Sequence, residues 1–187
     1  MELREGKTFV YIVCGKARHG KDTVAEIIRN YYEEANLKIL NIQYSSYIKD
    51  YAKKISNWDG SEETKPRELL QQLGTNVIRE KIDNLFFVKR IIDDIKVYKY
   101  FFDAITISDA RFKVEVDMPK QNHENIIAIH VDRPNFDNGL TEEQKKHPTE
   151  VDLDDYDKYD YKIVNDGTIE DLKEKVIKII REVENER

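Results

Sequence analysis

The hydrophobic positions of this chain follow two alternating patterns. Short runs rich in β-branched residues are followed by longer stretches in which apolar residues recur every three or four positions. The first run, TFVYIVCG, ends in glycine and leads into KDTVAEIIRNYYEEA, whose Val24, Ile27 and Ile28 have helical spacing. A strand, a loop and a helix are therefore predicted in succession. Further strands are predicted in KILNIQYS, FDAITISDARF, NIIAIHVDRP and YDYKIVND.

Helical periodicity dominates the middle of the chain. SYIKDYAKKI is predicted to be helical, and so is NLFFVKRIIDDIKVY. Between them RELLQQLGTNVIREKI follows Pro66, which suits a first helical turn. In this segment Leu69, Leu70, Leu73 and Val77 are predicted to share one face of the helix.

Strands that alternate with helices indicate an α/β fold with a parallel sheet. We predict about five strands flanked by helices, in a single domain that spans residues 1–187. The last helix is predicted to begin at Thr168, an N-cap residue with Asp171 three positions later. Residues 134–161 are polar, acidic towards their end and poor in apolar periodicity, which predicts a lid.

Composition and charge narrow the classes of partner. With 40% hydrophobic and 36% charged residues the chain should be soluble, and its apolar runs are too short to cross a membrane. The net charge of −6 disfavours a nucleic-acid-binding surface. The single cysteine, Cys14, and the lack of a secretion-signal pattern fit a cytoplasmic protein. Whether the chain forms a homodimer stays open.

One stretch, CGKARHGKDT, carries candidate chemistry. Gly15 and Gly20 are separated by four residues, and Lys21 follows. This spacing wraps backbone N–H groups around the β-phosphate of a nucleotide and directs an ammonium group at the β- and γ-phosphate oxygens. The predicted strand before the loop and helix after it complete the required context. We therefore predict an ATP-binding phosphate loop that also includes Lys16 and His19.

The position after Lys21 departs from the usual loop. Asp22 stands where a serine or threonine normally holds magnesium. A carboxylate can hold Mg²⁺ directly or through a water molecule, and Thr23 offers a hydroxyl within reach of the α-phosphate. Asp109 ends a predicted strand, where ligands gather in open parallel sheets, and is the second candidate for the magnesium site. A turn-forming or capping role for Asp109 is the alternative.

Four segments together resemble one family. GKDT, PRELLQQLGTNVIRE, ISDARFKVE and HPTEVDLDDYDKYDYKIVNDGTIEDL resemble segments of the bacteriophage deoxynucleoside monophosphate kinases, and they occur in that family's order. Thr149 stands where that family is expected to have serine, and Lys113 and Val114 follow Arg-Phe where proline and asparagine are common. The resemblance implies a P-loop kinase fold with an acceptor-binding helical region, residues 45–100, and a lid that closes over ATP. It also implies a host-cell location if the protein is phage-encoded.

Arginines and polar residues outside the loop are candidates for both substrates. Arg111 is predicted to contact the acceptor's phosphate, because a guanidinium matches a phosphate through two parallel hydrogen bonds. Arg133 is placed to reach the γ-phosphate as the lid closes, with a surface ion pair as the alternative. Arg67, Gln71 and Thr75 recur every four residues and form a polar stripe for the acceptor, or a solvated helix face.

Weaker candidates complete the site. Tyr44 and Ser45 end the second predicted strand and could contact the acceptor nucleoside, with simple packing as the alternative for the tyrosine. Arg79 is a further acceptor candidate, with a surface or ion-pair role as the favoured alternative. The resemblance places Asn165 and Gly167 near the ATP adenine, although an ordinary turn also explains them. His147 and Glu150 are predicted to act in closing the lid rather than in binding metal.

Together with these residues, the resemblance implies ATP- and magnesium-dependent phosphorylation of a (deoxy)nucleoside monophosphate to the diphosphate by in-line transfer. Phosphoryl transfer needs cations around the transferred group and a carboxylate near magnesium, roles that we assign to Lys21, Arg111, Arg133 and Asp109. One alternative is a related small-molecule kinase, of the dephospho-CoA or phosphomevalonate kinase type. Another is a non-catalytic nucleotide-binding module that switches a partner. Base and sugar preference stay open, as does the use of a modified pyrimidine nucleotide.

Overall fold

A five-stranded parallel sheet forms the centre of the structure, a computed structural model that describes residues 3, 4 and 6–186. Within these residues the strand order is β2-β3-β1-β4-β5, and all four neighbouring pairs are parallel. The strands are β1 Phe9–Cys14, β2 Ile39–Ile42, β3 Ala104–Ile107, β4 Ile126–Asp132 and β5 Tyr161–Val164. The predicted parallel α/β architecture is confirmed.

Helices connect the strands and cover both faces of the sheet. They are α1 Lys21–Glu34, α2 Tyr44–Ser56, α3 Arg67–Gln71, α4 Phe86–Tyr98, α5 Val114–Asn122, α6 Glu142–Lys145, α7 Pro148–Val151 and α8 Ile169–Glu186, and α3 continues directly into a π-helix, Gln72–Ile82. The predicted cap of the last helix is confirmed, because the Thr168 hydroxyl accepts the N–H of Asp171 at 3.2 Å and the Asp171 carboxylate accepts the N–H of Thr168 at 2.8 Å.

Two hydrophobic layers lie on the two faces of the sheet. Successive residues of β1 point to opposite faces, so Ile12 packs in the layer with α4 and α5 while Tyr11 packs in the layer with α1 and α8. Both side chains have no solvent exposure, which explains the continuous apolar run of the first strand. In the described part of the chain no helix has the length and apolarity needed to span a membrane.

The second strand is shorter than the sequence pattern indicates. We predicted that Tyr44 and Ser45 end it, but β2 ends at Ile42 and these two residues begin α2. The carboxylate of Asp109 explains the early start of the helix, because its two oxygens accept the N–H groups of Tyr44 and Ser45 at 3.0 and 2.9 Å. A cap supplied by a distant residue leaves no local signal in the sequence.

The π-helix corrects the predicted apolar face of the central helical segment. Val77, expected to lie with the leucines, is 39% exposed, whereas Ile78 is 3% exposed and packs in the main core. A π-helix has i→i+5 hydrogen bonds and a wider turn than an α-helix, so its buried positions do not follow α-helical spacing. Here Leu73, Gly74 and Ile78 are buried, and Leu73 packs against Ala52 and Trp58 while Ile78 packs in the main core.

This register makes a prediction about stability. Ile78→Ala should lower the free energy of unfolding by about 2–4 kcal/mol, because it leaves a cavity in the core. Val77→Ala should lower it by about 0.5 kcal/mol or less, as expected for a solvent-facing position. Urea unfolding of the two variants measures both values. A larger loss for Val77→Ala would show that the segment is an ordinary α-helix.

Candidate active site

The loop between β1 and α1 follows a path that only glycine permits at two positions. Gly15 and Gly20 have φ values of 146° and 102°. A Cβ atom on Gly15 would lie 2.3 Å from the carbonyl oxygen of Val131, and one on Gly20 would lie 2.6 Å from the side-chain nitrogen of Asn165. That same nitrogen donates to the carbonyl oxygen of His19 at 3.0 Å. The loop is thus held tightly between β4 and the residues that follow β5.

The side chain of Lys21 extends back across this loop. It is the first residue of α1, only 6% exposed, and its Nζ donates to the carbonyl oxygen of Lys16 at 2.7 Å. Burial, together with the nearby charge of Arg111, lowers the pKa of Lys21 to about 8. The ammonium group is therefore held across the loop, and an anion bound there would favour its charged form.

Asp22 contacts a residue that the sequence analysis did not single out. Its Oδ1 accepts the hydroxyl of Ser108 at 3.0 Å, and Ser108 directly follows β3. P-loop proteins ordinarily hold magnesium with a hydroxyl after the loop lysine and an aspartate from a second motif. Here the carboxylate lies on the helix and the hydroxyl lies at the end of the strand. Compared with the usual arrangement, the carboxylate and the hydroxyl have exchanged positions, and the two groups contact each other.

This pair fits a magnesium ion that arrives with a nucleotide. In the described ranges of the chain, no three His, Cys, Asp or Glu side chains gather into a metal site. Mg²⁺ is typically held by only one or two carboxylates together with substrate phosphates and water. A single carboxylate beside the phosphate loop is therefore a suitable donor set. Asp109 is less suited to this role than predicted, because both of its oxygens already cap α2.

Arg111 lies opposite the phosphate loop, and the carboxylate of Glu150, a residue of the predicted lid, lies between them. Its Nη1 lies 2.9 Å from Oε1 of Glu150, and Oε2 of Glu150 accepts the N–H of Ala17 in the loop at 3.1 Å. β3 ends at Ile107, before Asp109 and Arg111, and these two side chains contact different elements: Asp109 caps α2 and Arg111 pairs with Glu150. The arrangement creates a position for an anion between the guanidinium group and the loop backbone.

Glu115 holds the backbone around Arg111 in place, and sequence reasoning missed it. Its Oε2 accepts the N–H groups of Arg111 and Phe112 at 2.7 and 3.1 Å, and its Oε1 lies 3.6 Å from Nη2 of Arg79. The side chain is 3% exposed, and burial raises the pKa of Glu115 to about 7. The motif ISDARFKVE contains it, so a glutamate four residues after an arginine was the available signal.

Arg79 lines an apolar pocket beside Phe112. Its guanidinium lies 5.0 Å from the ring centre of Phe87 and 5.2 Å from that of Phe112. The pocket has a volume of about 360 Å³ and is also lined by Asn84. The three members of the predicted acceptor stripe, Arg67, Gln71 and Thr75, are exposed along α3 and the π-helix. The hydroxyl of Tyr44 is buried and donates to the carbonyl oxygen of Glu115 at 2.5 Å.

Arg133 lies on the other side of the loop. Its guanidinium stacks 3.9 Å from the ring centre of Phe136, and its backbone N–H donates to Nδ1 of His19 at 3.0 Å. Burial lowers the pKa of His19, which favours the neutral ring that can accept this hydrogen bond. Lys16, His19, Arg133 and Phe136 line a cavity of about 540 Å³.

The remaining candidates have local roles in this structure. Thr23 is half-buried in the first turn of α1. A Cβ atom on Gly167 would lie 2.5 Å from the Asp171 carboxylate that caps α8, so a larger residue here would crowd this cap. Asn165 supports the loop, because its side-chain amide donates to the carbonyl oxygen of His19. No ligand contact is needed to explain Gly167.

The family follows from a match over most of the chain. Residues 30–176 match the model of the family described as deoxynucleotide monophosphate kinase. This chain belongs to the deoxynucleotide monophosphate kinase family. The matched stretch begins after the phosphate loop, so the loop rests on its own geometry, whereas Ser108, Arg111, Glu115 and Glu150 all lie inside the matched stretch.

Two viral relatives agree with the family assignment. A protein of Acanthamoeba polyphaga mimivirus that carries the same family name is 32% identical over 125 residues, which are 62% of this chain and 61% of the relative. The deoxynucleotide monophosphate kinase of Escherichia phage RB69 is 33% identical over 116 residues, which are 62% of this chain and 44% of the relative. The chain thus spans less than two thirds of each relative's length.

Solved structures support the fold. An APS kinase of Mycobacterium tuberculosis in complex with AMPPNP and APS matches with a TM-score of 0.56 at 10% identity, covering 94% of this chain and 98% of that one. The dephospho-CoA kinase of Campylobacter jejuni matches with a TM-score of 0.52 at 15% identity, covering 94% of this chain and 97% of that one. The chain therefore has the P-loop kinase fold that the sequence predicted.

The environment of Lys21 predicts a pH dependence for ATP binding. Because burial lowers the pKa of Lys21 to about 8, the free protein loses the ammonium charge above that pH and must take up a proton to bind an anion. ATP affinity should fall up to about tenfold per pH unit above pH 8. Calorimetric titrations between pH 7 and pH 10 measure this fall.

Two variants control this measurement. Lys21→Met should bind ATP weakly and show little of the fall above pH 8. Lys16→Met, which removes an exposed lysine of the same loop, should keep the fall. An equally steep fall in Lys21→Met would assign the titration to another group.

Proposed function

We propose that this protein transfers the γ-phosphoryl group of ATP to the phosphate of a deoxynucleoside monophosphate, giving ADP and the deoxynucleoside diphosphate. The observation that carries this proposal is the position of Arg111 opposite the phosphate loop, where one carboxylate spans both. A phosphate held by Arg111 would therefore lie next to a phosphate held by the loop. In-line transfer between two phosphates requires this adjacency.

The donor side of the site is the loop and the cavity beside Arg133. Backbone N–H groups between Gly15 and Lys21 would bind the β-phosphate, and the Lys21 ammonium would neutralise charge on the γ-phosphate as it is transferred. Arg133 directly follows β4 and lines the same cavity as Lys16, so we retain it as the group that reaches the γ-phosphate when the lid, residues 134–161, closes. Asn165 positions the loop through His19.

The acceptor side is the pocket beside Phe112. Arg111 would bind the acceptor's phosphate with two parallel hydrogen bonds, and the adjacent aromatic pocket has the size and apolar lining that suit a nucleobase. Arg79, which lines this pocket, is the best placed of the predicted acceptor residues within 45–100. The exposed side chains of Arg67, Gln71 and Thr75 would contact the acceptor only after that region closes over it.

Asp22 and Ser108 would hold magnesium with the nucleotide. When bound, the ion would offset the negative charge that develops on the phosphates during transfer. Asp22 is the only member of the pair that supplies a negative charge, and the Ser108 hydroxyl orients its carboxylate at 3.0 Å. Lys21 and Arg111 position the two phosphates, and a closed lid would exclude water from the reaction.

The exchanged pair predicts that a double variant recovers what two single variants lose. Asp22→Ser leaves two hydroxyls, and Ser108→Asp places two carboxylates in contact. Each single variant should therefore lower the affinity for ATP in the presence of magnesium by about tenfold or more. Asp22→Ser with Ser108→Asp restores one carboxylate and one hydroxyl. Magnesium titrations of ATP binding should show most of the affinity recovered. Additive losses in the double variant would show that the two residues do not form one site.

One experiment tests the proposed activity directly. ADP release is measured with ATP and magnesium across deoxynucleoside and ribonucleoside monophosphates, dephospho-CoA and phosphomevalonate. We expect deoxynucleoside monophosphates to be acceptors, and Lys21→Ala to lower their turnover by about a hundredfold or more, because the charge on the transferred group is left uncompensated. Turnover of dephospho-CoA or phosphomevalonate alone would support a related small-molecule kinase. Tight ATP binding without turnover of any acceptor would support a switch module.

A further inference from the structure

The lid places a carboxylate where both substrates would place a phosphate. Glu150 lies in α7, which His147 caps through its Nδ1. Oε1 of Glu150 pairs with the guanidinium of Arg111 at 2.9 Å, and Oε2 accepts the N–H of Ala17 at 3.1 Å. Only 12% of the Glu150 side chain is exposed. Both carboxylate oxygens therefore contact groups of the candidate site.

A second lid carboxylate supports the same placement. Asp154 lies 2.9 Å from the ammonium of Lys16, the residue next to Ala17 in the loop. Arg18 of the loop also donates to the carbonyl oxygen of Asn138 in the lid at 2.8 Å. Three successive loop residues, Lys16, Ala17 and Arg18, thus contact oxygen atoms of the lid. The lid is closed onto the loop by groups that carry partial or full negative charge.

Glu150 also lies in the wall between two cavities. It lines the cavity of about 540 Å³ beside Arg133 and a second cavity of about 360 Å³ beside Arg111. Lys16 and Asp132 are the other residues that line both. An anion that bridged these two cavities would take the place of the Glu150 carboxylate.

A carboxylate resembles a phosphoryl group in the donors that it attracts. Guanidinium groups and backbone N–H groups of a phosphate loop both bind either anion. We propose that Glu150 occupies the position of a phosphoryl group in the ligand-free site, and that it makes the turnover of ATP conditional on the acceptor's phosphate. The first part concerns anion binding alone, and the second rests on the proposed function.

The two contacts of Glu150 would be released by different substrates. The γ-phosphate of ATP competes for the N–H of Ala17, but it leaves the ion pair between Glu150 and Arg111 in place. The acceptor's phosphate competes for Arg111, and with two negative charges it is the stronger partner for a guanidinium group. Only when both ligands are bound does Glu150 lose both contacts. Its removal then opens the wall and brings the two phosphates together.

With ATP alone, Glu150 would keep water from the γ-phosphate. Hydrolysis forms a bond from a water oxygen to the γ-phosphorus, breaks the bond to the β–γ bridging oxygen with its electron pair leaving on ADP, and releases the water's proton to solvent. Glu150 occupies space beside the loop and neutralises Arg111, so both the water and a free cation are withheld from the reaction. Glu150 is thus a specificity-determining residue that favours the acceptor over water.

Binding of inorganic tripolyphosphate tests the anion competition without any catalysis. Glu150→Gln keeps the shape and an oxygen that accepts from Ala17, but it removes the charge that pairs with Arg111. We expect this variant to bind tripolyphosphate about tenfold more tightly than the native protein in calorimetric titrations, because an unpaired guanidinium is left facing the loop. Glu143→Gln, which neutralises an exposed glutamate of the same lid, should leave the affinity unchanged.

ATP hydrolysis without an acceptor tests the consequence for specificity. Glu150→Gln should raise the rate of phosphate release from ATP by about tenfold, whereas Glu143→Gln should leave it unchanged. Glu150→Asp keeps the charge but shortens the side chain, and it should show a smaller rise than Glu150→Gln. Far-ultraviolet circular dichroism and the urea midpoint establish that each variant is folded. If Glu150→Gln does not fold, Glu150→Asp alone decides through the same two measurements.

The outcomes separate this inference from the proposed function. Unchanged or weaker tripolyphosphate binding in a folded Glu150→Gln variant would overturn the role of Glu150, even if deoxynucleoside monophosphates are phosphorylated. Tighter tripolyphosphate binding with no acceptor turned over would support the anion competition and contradict the proposed kinase activity. Tighter binding with unchanged ATP hydrolysis would overturn the specificity role.

Discussion

The close fit of the loop backbone after β1 is the constraint on which the rest of the site depends. Gly15 approaches β4 and Gly20 approaches the residues after β5 so closely that neither position has room for a Cβ atom. Because β1 lies between β3 and β4, this loop receives Ser108 and Arg111 from one neighbour and Arg133 from the other. The central position of one strand thus brings to a single loop the residues that we propose contact the metal, the acceptor and the donor.

The second feature of the site is that four of its cations, Lys16, Lys21, Arg79 and Arg111, lie close to oxygen atoms of the protein. Lys21 donates to a loop carbonyl oxygen, Lys16 and Arg111 pair with lid carboxylates, and Arg79 lies near Glu115. A buried cation without a partner is costly, so the contact of the buried Lys21 stabilises the loop. Under the proposed function, the phosphates that bind Lys16 and Arg111 would replace carboxylates of the predicted lid.

Several parts of this arrangement could be predicted because their signals are local. The strand, loop and helix around Lys21, and the start of the last helix at Thr168, depend on residues within a few positions of each other. Val77 and Ile78 could not be assigned, because the π-helical turn that exchanges them depends on packing against other helices. Ser108 and Asp109 are neighbours, and only the direction of the strand end decides which contacts Asp22 and which caps α2.

The sequence by itself determined the class of fold, the phosphate loop and the identity of its cations, because hydrophobic periodicity and glycine spacing express short-range geometry. The tertiary structure alone decided the partners of those cations. Ala17 and Glu150 are separated by 133 residues, and Asp22 and Ser108 by 86, so their contacts exist only after the sheet has ordered its strands. Contacts between distant residues follow from the packing of whole elements, and no local pattern records them.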